Sequence, residues 1–134
     1  MSISELFSRL GAPLHNVMWS WGAQRKSDGA IFLRAWQDET LRINGIYHVC
    51  ILNMSLPESI LSSNGIKERM QHIEMIRSGA QAYIVMIRAV NPHAIPREIA
   101  SFNEKDIFVG GQLLEQDDKI WLSYTKRIPA REIM

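Results

Sequence analysis

Residues 17–39 read VMWSWGAQRKSDGAIFLRAWQDE, and the fold turns on how this run is paired. Lys26-Ser27-Asp28-Gly29 has the chemistry of a turn between antiparallel strands. The pattern therefore predicts a hairpin of two strands, about Val17 to Arg25 and Ala30 to Gln37. Side chains along a strand alternate between faces, and a loop of even length pairs odd positions of the first strand with even positions of the second. Trp19 and Trp21 then share a face with Phe32, Arg34 and Trp36. Met18, Ser20, Gly22 and Gln24 lie opposite, with Ile31, Leu33 and Ala35. A three-residue loop would break this grouping, so the reading rests on register.

The tryptophan face reads in two ways. Large aromatics bury the most area and dominate the interiors of small domains, which makes the rings a core. Arg34 among them supports a second reading, because a guanidinium is seldom buried without a carboxylate partner or a flat π surface beneath it. Asp38, on the same parity, is the expected carboxylate. Trp, Arg and Asp around a concavity are what a pocket for a flat, polar ring such as a nucleobase requires. The candidate ligand-binding residues are Trp19, Trp21, Arg34, Trp36, Asp38 and Glu39.

The 134 residues are expected to form a single domain, 1–134, long enough to bury a core without disulfides or metals. A hydrophobic share of 46% and a charged share of 22% are ordinary for a globular chain. A formal net charge of +1 argues against sequence-blind coating of nucleic acid, though it leaves room for a local basic patch. The one cysteine, Cys50, has no internal disulfide partner, and the opening MSISELFSRLGAP lacks the pattern of a signal peptide. No window has the apolar length needed to cross a bilayer. A cytoplasmic protein with no membrane partner is expected.

Ser2-Ile3-Ser4-Glu5 fits a capping box for a short helix with Ile3, Leu6, Phe7 and Leu10 on its apolar stripe, stopped by Gly11 and Pro13. Asn44-Gly45 is the strongest hairpin signal in the chain, and Ile46 to Leu52 follows as a central strand. Asn53 to Asn64 reads as a surface loop. Gly65 to Ser78 has a helical period, with Ile66, Met70, Ile73 and Ile76 on the apolar stripe, Arg69, His72 and Arg77 off it, and Gly79 closing it. AYIVMIRAV, Ala82 to Val90, reads as a buried strand reached by a crossover. One or two helical turns are expected within Pro96 to Phe102. Strands are expected at Ile107 to Val109, Gln112 to Glu115 and Lys119 to Thr125, with a tight turn or bulge at Gly110-Gly111.

Reactive chemistry is thinly represented. His48 and Cys50 share a strand face, a spacing that seldom gives an activated thiolate, and Cys50 reads as a small buried hydrophobe. His72-Ile73-Glu74 matches half of a zinc-deaminase motif, but one cysteine is too few to complete the site. Asp106 with Asp117, Asp118 and Lys119 matches a metal-nuclease pattern loosely, and a solvated hairpin turn explains the last three equally well. No catalytic residue, metal site or cofactor is expected.

The second half carries a further pattern: the strand AYIVMIRAV, a turn with proline, a short helical piece, then a late strand with Trp121 followed by Ile128-Pro129-Ala130-Arg131-Glu132-Ile133. Over roughly Gly65 to Ile133 this resembles PUA-like domains of the ASCH and EVE type. The first half looks like small uncharacterised bacterial proteins with paired Trp-Ser-Trp-Gly-Ala and Trp-Gln-Asp-Glu segments, some of them associated with nuclease domains. The PUA-like resemblance implies a small partial barrel that binds RNA, or a modified or flipped base, in an aromatic pocket. The expected fold is accordingly α+β, a strongly bent mixed or antiparallel sheet with two principal helices. The expected function is a non-catalytic binding domain for a planar ligand, a small molecule or a nucleobase within nucleic acid. The alternatives are a homodimeric interaction protein, or an enzyme drawing on Asp38, Glu39 and His72.

Overall fold

The computed structural model describes residues Met1–Met134. Eight strands form one mixed sheet: β1 (Gly22–Gln24), β2 (Ile31–Trp36), β3 (Thr40–Ile43), β4 (Ile46–Asn53), β5 (Ala82–Ala89), β6 (Ile99–Phe102), β7 (Asp106–Gln116) and β8 (Lys119–Pro129). Three α-helices accompany them, α1 (Ile3–Arg9), α2 (Glu58–Leu61) and α3 (Asn64–Arg77), and a 3-10 turn at Ala130–Glu132 follows β8. The short α2 lies in the stretch expected to be loop, so the helices number three rather than two.

The centre of the sheet is the parallel pair β2 and β5, in register from Ile31 opposite Ala82 to Trp36 opposite Ile87. Both strands are apolar on both faces, as a strand buried from both sides must be. Ile31, Leu33, Ala35, Ala82, Ile84 and Met86 face a core capped by Ile66, Ile73 and Ile76 of α3. Phe32 and Val85 face a second core closed by Leu6, Phe7 and Leu10 of α1. The Ser2 hydroxyl accepts from the Glu5 amide at 3.2 Å and starts α1, as its sequence suggests. The crossover that makes the parallel pair joins β2 to β5, with β3, β4, α2 and α3 all inside it.

The sheet order is β1-β2-β5-β7-β8-β4-β3, with β6 on the remaining edge of β5. In a flat sheet β2 and β4, four strand spacings apart, would be separated by about 19 Å. Here one guanidinium, that of Arg69, bonds the carbonyl oxygens of Ile51 on β4 and Arg34 on β2. The sheet is therefore strongly curled, and it stays unclosed.

Two turns fix the hairpins through backbone geometry. Asn44 and Gly45 have φ of 52° and 79°, and Asp117 and Asp118 have 55° and 58°, the paired positive values that match the twist of a two-residue hairpin. The long β7–β8 hairpin corrects the expectation of separate strands at 107–109 and 112–115. Gly110 and its neighbours form an irregularity inside one strand. A Cβ at Gly110 would lie 2.9 Å from those of Ala82 and from Leu122 Cδ2, so the strand needs glycine there. The helical turns expected within Pro96 to Phe102 are instead β6, which pairs with the end of β5.

Candidate functional site

A cavity of about 330 Å³ opens beyond the carboxyl ends of the parallel strands β2 and β5. Such ends are where the backbone diverges and leaves a crevice in open sheets. Its walls come from four places: Trp21 and Arg34 to Trp36 from the first hairpin, Cys50 to Asn53 from β4, Ile60, Ile66 and Arg69 from the helices, and Pro92 to Arg97 from the loop before β6.

Four of the sequence-derived candidates, Trp21, Arg34, Trp36 and Glu39, line this cavity. The hairpin has the even register, with Ala23 opposite Phe32, and the Arg34 amide donates to the Trp21 carbonyl at 3.0 Å. The first strand is much shorter than expected, beginning at Gly22 rather than Val17. Asn16 is the reason: its side-chain oxygen takes the Met18 amide at 2.8 Å, and its carbonyl takes that of Ser20 at 2.8 Å. Trp19 consequently lies in a turn, its ring edge-on to His15 at 5.9 Å, outside the cavity. Released from strand geometry, Trp21 lays its indole over Gly65 in the first turn of α3.

Asp38 is not the partner of Arg34. It is bound by Arg97 at 2.8 Å, and Arg97 also reaches Glu39 at 3.1 Å. The Arg97 guanidinium sits 5.3 Å from the centre of the Trp36 ring. Both carboxylates and the tryptophan thus hold the loop before β6 against the cavity. Sequence reading missed Arg97, because nothing local marks a contact between residues this far apart in the chain.

Arg69 was also missed as a buried group, as was His72. Both face inward from α3, Arg69 being 4% and His72 7% exposed, whereas Met70, expected on the apolar stripe, is 40% exposed. Arg69 donates to Ile51 O at 2.7 Å, Arg34 O at 2.8 Å and Trp21 O at 3.0 Å, while its Nε has no partner. Burial, with the nearby Arg34 charge, pushes its pKa down to about 9. Burial alone brings Arg34 to about 10. The Cys50 thiol, buried beside Glu39, is pushed up to about 12 by burial first and by that carboxylate second, so it stays protonated and unreactive near neutral pH.

The metal-nuclease pattern is pulled apart, since Asp106 pairs across from Pro129 at one end of the β7–β8 hairpin and Asp117-Asp118 turn at the other. His72 does not line the cavity that contains Glu39. No helix is long and apolar enough to cross a membrane. No family model matches the chain, and no curated protein or solved structure matches it either.

Proposed function

We propose that this chain is a non-catalytic binding domain that takes a planar ligand, a nucleobase or a ring of similar shape, in the cavity between Trp21 and Trp36. The observation that carries the reading is the placement of both indoles, half-buried rather than sealed, in one cavity with Arg34 and Glu39. Trp121, by contrast, is 6% exposed and belongs to the interior. A volume near 330 Å³ is at the lower end for ligand sites, which suits one ring with a substituent. Stacking on tryptophan contributes about 1–3 kcal/mol per base, and Arg34 and Glu39 offer a donor and an acceptor for the ring edge.

The curled mixed sheet with a cavity at its mouth supports placing the domain with PUA-like base-binding folds. The reduced, buried Cys50 suits a cytoplasmic setting. The enzyme alternative loses its carboxylates to Arg97. The test is tryptophan emission during titration with nucleosides and short single-stranded oligonucleotides. Saturable quenching that is lost in Trp36→Leu, with the fold retained by circular dichroism, is the expected result; flat titrations with every probe would overturn the reading.

A further inference from the structure

Arg34 is a cavity-lining cation whose side chain has no partner at all. Its guanidinium makes no ion pair within 4.0 Å and no side-chain hydrogen bond, and it lies over no aromatic ring, unlike Arg25, Arg42 and Arg97. Neither of the two arrangements that normally accompany a half-buried guanidinium is present.

Its surroundings add charge of the same sign. Arg69 is buried and hydrogen-bonded only to neutral carbonyls. Glu68, its neighbour in α3, accepts from the Ser20 hydroxyl at 3.1 Å and offsets part of the Arg69 charge, but it does not line the cavity. Glu39, the one acidic residue in the lining, is held by Arg97. The Arg34 charge is thus left without an ion-pair partner, beside a second buried cation, in a site of reduced dielectric where an incoming anion interacts far more strongly than in water.

We propose that the planar ligand carries an anionic oxygen group, phosphate or carboxylate, and that Arg34 is its counter-ion in the field of the buried Arg69 charge. The inference rests on the planar-ligand reading and narrows it. The two side-chain ends of Arg34 suit a bidentate grip on either oxyanion, while Trp21 and Trp36 bound the ring. Arg69 is a positioning residue: both terminal nitrogens of its guanidinium are bonded to backbone carbonyls.

Matched probe pairs separate this inference from the reading beneath it. Nucleoside 5′-monophosphates are titrated against the same nucleosides, and orotate against uracil, following tryptophan emission. At least one charged member is expected to bind about tenfold or more tightly than its neutral counterpart, the scale of a charged hydrogen bond, and the pair that shows it identifies phosphate or carboxylate. That preference should shrink in Arg34→Gln, survive in part in Arg34→Lys, and weaken in the wild-type chain as salt rises. Because the wild-type comparison needs no variant, misfolding of Arg34→Gln leaves the test intact. Neutral and charged members binding equally would overturn the inference and leave the planar reading standing. A charge preference undiminished in folded Arg34→Gln would overturn the role of Arg34, and no binding by any probe would remove both.

Discussion

Arg69 Nη1 donates to the Ile51 carbonyl at 2.7 Å, joining α3 to β4, while its Nη2 bonds the Arg34 carbonyl of β2 at 2.8 Å. The two strands it reaches are not sheet neighbours, so this side chain supplies the hydrogen-bond donors that a closing strand would have supplied. Replacing it by alanine takes this donor from the Ile51 and Arg34 carbonyl oxygens, each costing about 1–3 kcal/mol if water cannot reach it, while the Trp21 carbonyl keeps the Arg34 amide. Arg69→Ala is expected to lower stability by about 3 kcal/mol or more in urea titrations, and Arg69→Lys by less, since an ammonium lacks the planar fork. Wild-type stability in Arg69→Ala would show that the curl is maintained without it.

Gly65 is expected to tolerate no side chain, although helix propensity argues otherwise. Alanine gains about 1 kcal/mol over glycine inside a helix. Here, however, its Cβ would fall 2.5 Å from Cε2 and 2.6 Å from Cζ2 of Trp21. Overpacking of this kind costs about 1–3 kcal/mol, and an indole has no flexible end to swing aside. Gly65→Ala should therefore lower the melting temperature and shift the emission of Trp21 as the ring is pushed into the cavity. A variant as stable as wild type with unchanged emission would contradict the close packing.

His72 should make the fold sensitive to mild acid. Burial first, and the Arg69 charge second, bring its pKa from 6.5 down to about 4, and its Nδ1 has no partner. Above pH 6.5 the ring is neutral in both folded and unfolded chains and has no effect on the balance. Between about 6.5 and about 4 the unfolded chain takes up a proton that the folded one refuses, so stability falls as pH falls. The full effect is at most about 3 kcal/mol, less whatever solvent screening removes. Denaturant midpoints measured from pH 7 to 4 should decline more steeply for wild type than for His72→Gln, and parallel curves would discount the residue.

The sequence made the hairpin register legible because its information is local: the Lys26–Gly29 turn sets which residue faces which, and Trp21 comes opposite Arg34 in consequence. It made β2 legible through the turn that precedes it, and β5 because a strand buried on both faces is apolar throughout rather than alternating. Trp19 was misplaced for a local reason too, since Asn16 is a turn-forming residue whose side-chain oxygen captures the Met18 amide, and that signal was open to reading. Arg69 and His72 escaped because counting apolar residues puts a charged one on the solvent side. Their spacing from Ile66, Ile73 and Ile76 nevertheless places them on the buried face of α3. The Arg97 contacts and the parallel pairing of β2 with β5 are long-range, and no run of residues encodes them by itself.

Arg97 holds the loop before β6 by two ion pairs and a tryptophan face, and its removal should loosen the loop far more than the fold. Its side chain is 17% exposed and those of Asp38 and Glu39 are 41% and 27% exposed, so solvent screens the pairs and global stability should fall by only about 1 kcal/mol. The loop itself has little else to retain it: within Pro92 to Arg97 the backbone bond from the Ala94 amide to Asn91 O, at 3.1 Å, is local. Limited proteolysis of Arg97→Ala should therefore show new cleavage between Asn91 and Glu98 while urea midpoints stay close to wild type. Affinity for any cavity ligand should drop several-fold, because the loop would have to be ordered on binding at an entropic cost. The charge-reversed pair Arg97→Asp with Asp38→Arg, by restoring one contact, should recover part of the protease resistance; no recovery would show that the Trp36 face, rather than the carboxylates, retains the loop.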